Sequence, residues 1–139
     1  MPSKALVLDA NILIRAVLGQ RVRRILESHA DVISFFIPET AYAEAEEHLA
    51  TLVVKRGGEP EKALRLLRSL ATLCTLMTHD TYAGFETEAR KRLAPRDPDD
   101  WPILATALAL GCPIWTDTDF FGCGVATWTS SSIGSFLTQ

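Results

Sequence analysis

Asp100-Trp101-Pro102-Ile103-Leu104-Ala105-Thr106-Ala107-Leu108-Ala109-Leu110-Gly111-Cys112-Pro113-Ile114-Trp115-Thr116-Asp117 is the stretch that decides the fold. An aspartate suited to N-capping opens an apolar helix that runs through Leu110. Gly111 is the C-terminal stop, and Pro113-Ile114-Trp115-Thr116 reads as a strand that ends in acid. The sixteen residues between the two aspartates carry no charge. Pro102, Gly111 and Pro113 interrupt them, and the run falls short of a bilayer span, so no transmembrane helix is expected.

The same grammar recurs upstream. Ala5-Leu6-Val7-Leu8 is a short apolar run that ends at Asp9, and Asn11, Ile12, Leu13, Ala16 and Val17 follow at helical spacing up to Gly19. A second helix is expected from Gln20 to Ala30, then a buried strand over Val32–Ile37. Pro38 ends that strand and opens a helix over Glu39–Lys55, which stops at Gly57-Gly58. Pro60 opens the next helix, whose stripe Ala63, Leu66, Leu67 and Leu70 makes a helical hairpin with its predecessor. Leu76-Met77 reads as a short strand, Tyr82–Leu93 as one helix and Pro95–Pro98 as a loop. A last strand over Val125–Trp128 and a helix near Ser132–Leu137 complete the pattern. Strands alternating with helices imply α/β architecture, a mainly parallel sheet covered on both faces.

The chain has 139 residues, 47% of them apolar and 22% charged. That suffices for one domain spanning 1–139 with a real core, and excludes a disordered chain. Cys74, Cys112 and Cys123 form neither an even set nor a C-x-x-C pair, which argues against a disulfide framework and a zinc site. No signal peptide pattern is seen at Met1–Leu8, so a cytoplasmic location is expected. A net charge of −3 excludes binding of nucleic acid by bulk basicity; local patches or metal ions would have to serve.

In an open parallel sheet, ligands bind where loops leave the carboxyl ends of the strands. Asp9 and Asp117 sit at such ends. Asp100, at the start of the helix that feeds the Asp117 strand, is expected at the opposite edge, so strand logic alone leaves the acids apart.

Four segments in order resemble the PIN-domain family, metal-dependent nucleases that include VapC-type toxins. They are Val7-Leu8-Asp9-Ala10-Asn11-Ile12-Leu13; Pro38 with Glu44 six positions on; Asp97-Pro98-Asp99-Asp100-Trp101-Pro102-Ile103-Leu104-Ala105-Thr106-Ala107-Leu108; and Ile114-Trp115-Thr116-Asp117-Thr118-Asp119-Phe120. The resemblance covers nearly the whole chain and implies a three-layer α/β/α sandwich whose topology gathers the helix-borne acids beside the strand-end ones. Asp9, Glu44, Asp100 and Asp117 would then correspond to the family's four-acid pocket. The usual Thr-x-Asp is here Thr116-Asp117 with Asp119 two further on, which leaves open whether Asp117 or Asp119 is the fourth acid.

Crowded carboxylates repel one another and call for cations. Their hard oxygens select Mg²⁺ or Mn²⁺, which would polarise a scissile phosphate, activate water and stabilise the leaving oxygen. On the resemblance, Asp9, Asp100, Asp117 and Asp119 are metal ligands, Glu44 binds a second ion or orients water, and Asn11 and Thr116 hydrogen-bond the carboxylates. It further implies an RNA substrate, an antitoxin partner and a homodimer.

Each residue also has an ordinary explanation. Asp9 and Asp100 suit helix capping, Asp97, Asp99 and Asp119 suit turns, and Glu44 shares an acidic helix face with Glu39, Glu46 and Glu47. His48, one turn past Glu44, lacks the second histidine of H-E-x-x-H and reads as a surface residue. Trp101, Trp115 and Trp128 read as packing groups. Of three basic clusters, the one containing Arg92 and Arg96 adjoins the acidic loop and is the expected phosphate contact. A haloacid-dehalogenase-type phosphatase would need an aspartate where Asn11 stands. A receiver domain leaves the Thr116–Asp119 segment without a role. The stronger rival is a catalytically inactive PIN fold that binds RNA or protein.

Overall fold

The computed structural model describes residues 4–117, 120 and 123–138. Among these, five strands form one wholly parallel sheet in the order β3-β2-β1-β4-β5. The strands are β1 (Lys4–Leu8), β2 (Ile33–Pro38), β3 (Cys74–Met77), β4 (Ile114–Trp115) and β5 (Thr127–Trp128). The expected strand at Val125–Trp128 is thus confined to its last two residues.

Parallel neighbours need crossovers, and these are helical. α1 (Ala10–Leu18) and α2 (Gln20–His29) lead from β1 to β2; α3 (Glu39–Lys55) and α4 (Pro60–Ala71) lead from β2 to β3. The return to β4 runs through α5 (His79–Tyr82), a 3-10 turn at Ala83–Phe85, α6 (Glu86–Leu93), a second 3-10 turn at Pro98–Asp100, and α7 (Trp101–Leu110). α8 (Ile133–Leu137) closes the described chain. The helix expected over Tyr82–Leu93 is therefore broken, and Gly84, a poor helix former, lies in the break.

Right-handed crossovers that step one way across a sheet leave their helices on one face, and a crossover that steps back uses the other. The packing follows this rule. α1, α2, α3 and α4 pack among themselves, while α5 and α6 pack on α7, which lies against β1, β2 and β4. The result is the expected three-layer α/β/α sandwich.

The core explains why the segments take these forms. Leu6, Val7 and Leu8 are fully buried, the signature of a central strand covered on both faces. Ile12, Leu13, Leu49 and Leu67 fill the layer on one side, and Leu104 and Ala105 fill the other. Burial of each large aliphatic side chain contributes roughly 1.5–3 kcal/mol. Gly111 ends α7 in the left-handed conformation, φ 65°, and donates its N–H to the Ala107 carbonyl. That reversal costs glycine little, and it turns the chain directly into β4.

The tryptophans pack, as expected. Trp115 is fully buried against Phe35, Trp101 adjoins Tyr82, and Trp128 meets Phe136. All three cysteines are free thiols, and burial pushes Cys74 up to about 12 and Cys112 up to about 11. Among the described residues, no helix is long and apolar enough to cross a membrane.

Candidate functional site

From β1 the strand order runs outward to β3, then returns to place β4 on the other side of β1. The reversal therefore falls between β1 and β4, whose carboxyl ends carry Asp9 and Thr116-Asp117. An open α/β sheet forms its crevice at such a point.

Asp9 is nearly buried and does cap α1, accepting the Ile12 N–H at 3.1 Å on Oδ1. Its Oδ2 accepts the hydroxyl of Thr116, which is itself buried. Capping therefore leaves the carboxylate joined to both loops, held by the Ile12 N–H and the Thr116 hydroxyl. Thr116 joins the loop after β4 to the loop after β1.

A recess of about 130 Å³ opens beside Asp9, lined by Asp9, Asn11, Thr40, Glu44, Asp99 and Asp100 among others. Glu44 arrives on the second turn of α3, which begins at the carboxyl end of β2. Asp100 arrives at the start of α7. The expectation that Asp100 lies at the opposite edge is corrected here. A crossover helix runs antiparallel to the strands it connects, so its N-terminus stands at the strands' carboxyl edge, where Asp9 is. α3 and α7 touch each other there.

The Asp100 side chain does not cap α7. That turn is secured instead by Asp97, whose carboxylate accepts the Asp99 N–H at 3.0 Å. Asp100 is left half-buried among acids, and its carboxyl is raised from 3.8 to about 6, first by burial, then by the charges of Asp97, Glu44, Asp9 and Asp99. Carboxylates gathered this way disfavour one another's ionisation and favour a cation.

Asp117 stands apart from that recess. Its two oxygens accept the Ser130 N–H and hydroxyl, each at 2.6 Å, and Arg15 pairs with it at 3.3 Å. The Ser130 hydroxyl in turn accepts the Trp115 indole N–H at 3.3 Å. Asp119 lies outside the described residues. Arg92 donates to Glu88 at 2.7 Å and to the Cys123 carbonyl at 2.9 Å, which makes it a strap between α6 and the segment before β5. Arg96 is exposed just after α6. His48 is exposed and lines a different recess with Asn11, Ile14 and Lys55.

Sequence reasoning did not assign Asp99 or Thr40 to the recess, nor Arg15 and Ser130 to Asp117. Arg15 carried a signal: it follows Asn11 by four positions and so shares its face of α1. Thr40 precedes Glu44 by the same interval. Ser130 carried none, since only the sheet brings it to Asp117.

The donor chemistry fits a hard divalent cation: the recess offers carboxylate oxygens, and among the described residues no imidazole or thiolate lines it. Among the described residues, no three His, Cys, Asp or Glu side chains are already grouped to hold an ion. Binding would have to draw the carboxylates inward.

With this geometry established, the family follows: the PIN domain profile matches residues 7–138, and the chain belongs to that family. No curated protein matches the sequence. The fold is similar to those of many solved structures, three of which serve as examples. One is VapBC2 from Rickettsia felis bound to a promoter DNA fragment, at 16% identity and TM-score 0.70, covering 90% of this chain and 98% of that one. Another is FitAcB from Neisseria gonorrhoeae, at 22% and 0.69, covering 91% and 98%. The third is DNA-bound VapBC from Salmonella typhimurium, at 18% and 0.69, covering 93% and 99%.

Proposed function

We propose that the protein is a metal-dependent endoribonuclease that hydrolyses RNA phosphodiester bonds and serves as the toxin of a toxin–antitoxin pair. The observation that carries this reading is the convergence of Asp9, Glu44, Asp99 and Asp100 on one recess at the point of strand reversal. Membership of the PIN domain family supports the nuclease part. The toxin part rests on fold neighbours such as a toxin–antitoxin complex from Klebsiella pneumoniae, at 19% identity.

In this reading Asp9, Glu44 and Asp100 hold Mg²⁺ or Mn²⁺, with Asp99 at the rim. A bound ion supplies Lewis acidity toward a phosphate oxygen and lowers the pKa of water. The protein's own contributions are positional. The Ile12 N–H and the Thr116 hydroxyl fix the Asp9 carboxylate, and the crowding that raises the Asp100 carboxyl to about 6 is what a bound cation would relieve. Glu44, exposed at the rim, is placed to orient a water.

The chemistry predicts a particular product. With water as nucleophile, cleavage of a mixed structured-RNA pool in Mn²⁺ leaves linear phosphomonoester ends, and EDTA abolishes it. Ends carrying a 2′,3′-cyclic phosphate, or cleavage that persists in EDTA, would contradict the mechanism. A second reading, a non-catalytic RNA- or protein-binding module, is favoured by the engagement of Asp117 with Ser130 and Arg15. It predicts ion binding with intact RNA.

A further inference from the structure

Next to the acidic recess, across Asn11, lies a second one of about 300 Å³ lined by Asn11, Ile14, Arg15 and Asp117. Asn11 lines both. Arg15 is 59% exposed, and among the described residues its one ion-pair partner is Asp117, engaged through a single terminal nitrogen. A guanidinium has five N–H donors, and among the described residues the pair with Asp117 occupies one terminal nitrogen of the group that lines this recess.

Asp117 does not need Arg15 to stay in place. Ser130 already gives it two short hydrogen bonds, and the Trp115 indole fixes the Ser130 hydroxyl. The pair instead orients Arg15 toward the sheet's carboxyl edge. Arg21 reaches the same turn, donating to the Ser130 carbonyl at 3.2 Å, so two exposed arginines flank it.

The charge balance calls for such a place. A nucleic-acid strand entering the acidic recess meets the carboxylates of Asp9, Glu44, Asp99 and Asp100, which repel its phosphates. Arg15, one helical turn along from Asn11 and engaged by Asp117 through one nitrogen, can offer its remaining N–H donors to a phosphate without sitting among the reacting groups. Arg92 is committed to Glu88 and the Cys123 carbonyl.

We propose that the recess bounded by Asn11, Ile14, Arg15 and Asp117 is a phosphate subsite, in which Arg15 holds an RNA phosphodiester flanking the one positioned at the acidic recess. The inference rests on the nuclease reading above. Arg15 is a positioning residue: it sets where the strand lies, and so acts on substrate binding more than on the chemical step. Asp117 keeps the guanidinium aimed, and its own charge limits the hold to one phosphate.

The test is the salt dependence of RNA binding, measured by fluorescence anisotropy with a labelled single-stranded RNA in Mg²⁺. An Asp9→Asn background suppresses cleavage, and each variant is first shown to melt as its parent does. Arg15→Gln is expected to weaken binding roughly tenfold and to flatten log Kd against log salt by about 0.7, the value for one phosphate contact on a single strand. Arg15→Lys should restore the slope. Ser130→Ala, which loosens Asp117 but leaves the cation, should keep the slope of the parent. In the otherwise wild-type chain, Arg15→Gln should raise KM with little change in kcat. An unchanged slope in Arg15→Gln, with RNA still bound and cleaved, would overturn the subsite and leave the nuclease standing. An equal slope change in Ser130→Ala would also overturn it, reducing Arg15 to a structural partner of Asp117. A wild-type chain that neither binds nor cleaves RNA in Mg²⁺ or Mn²⁺ would overturn both readings.

Discussion

Thr116 donates its hydroxyl to the Asp9 carboxylate, and this bond helps tie the loop after β4 to the loop after β1 where the strand order reverses. Thr116 is fully buried and Asp9 nearly so, at the edge of the acidic recess.

Thr116→Val keeps the shape and removes the donor. It should destabilise the fold by about 1.5–3 kcal/mol, the range for a hydrogen bond to a charged group. It should also slow RNA cleavage, since Asp9 loses a contact that holds its carboxylate in place. Thr116→Ser, which keeps the hydroxyl, should recover most of both. Urea unfolding and initial rates on the three proteins check this; a Val variant as stable and as fast as wild type would show that the bond carries no weight.

Asp100 supplies a pH signature. Its carboxyl is raised in the folded chain, so the folded state binds more protons than the unfolded one. Its contribution is most favourable below pH 4 and is lost as pH rises through about 6. In EDTA at pH 7, Asp100→Asn should therefore stabilise the protein by about 1–2 kcal/mol, after discounting for partial exposure. The gain should vanish near pH 4. Saturating Mn²⁺ should reverse the order, because the wild-type chain binds the ion and the variant binds it poorly. Melting curves across pH check the sign, and a variant less stable than wild type in EDTA at pH 7 would contradict it.

Gly124 adopts φ 84°, and a Cβ there would lie 2.7 Å from Arg92 Nη1. Gly124→Ala combines backbone strain with displacement of the Arg92 strap and should cost about 1–3 kcal/mol. Arg92→Ala removes the obstructing side chain, so the double variant should be destabilised by less than the sum of the singles. Strict additivity in urea unfolding would show that the two sites do not interact.

Much of this was legible in the sequence, for identifiable reasons. Apolar runs that stop at Asp9 and Asp117 mark the carboxyl ends of strands, and Gly111 marks where α7 must turn. What failed was placement by connection: Asp100 was expected across the sheet because it precedes β4 in the chain, although an antiparallel crossover helix begins at the edge where β4 ends. Capping failed in a similar way. Asp100 and Asp97 both suit the turn before α7, and only the fold shows that Asp97 does the capping and leaves Asp100 to the recess. Arg92 and Arg15 differ by their neighbours. A run of basic residues on α6 signals charge, but whether a guanidinium faces solvent or straps a carbonyl depends on contacts with residues about thirty positions away. The ties of Asp117 to Ser130 are hidden for the same reason, since β4 and β5 meet only in the sheet.

On the proposed function, the acidic recess binds a divalent ion and the protein hydrolyses RNA. The most direct test of this is the initial rate of cleavage of a structured-RNA pool against Mn²⁺ concentration, for wild type, Asp9→Asn and Asp100→Asn, each first shown to be folded. Saturable, EDTA-sensitive cleavage by wild type is expected, with at least about a hundredfold loss in each variant, on the order expected when electrostatic stabilisation of the transition state is removed. Intact RNA with wild-type protein that demonstrably binds Mn²⁺, or cleavage by both variants at the wild-type rate, would contradict it.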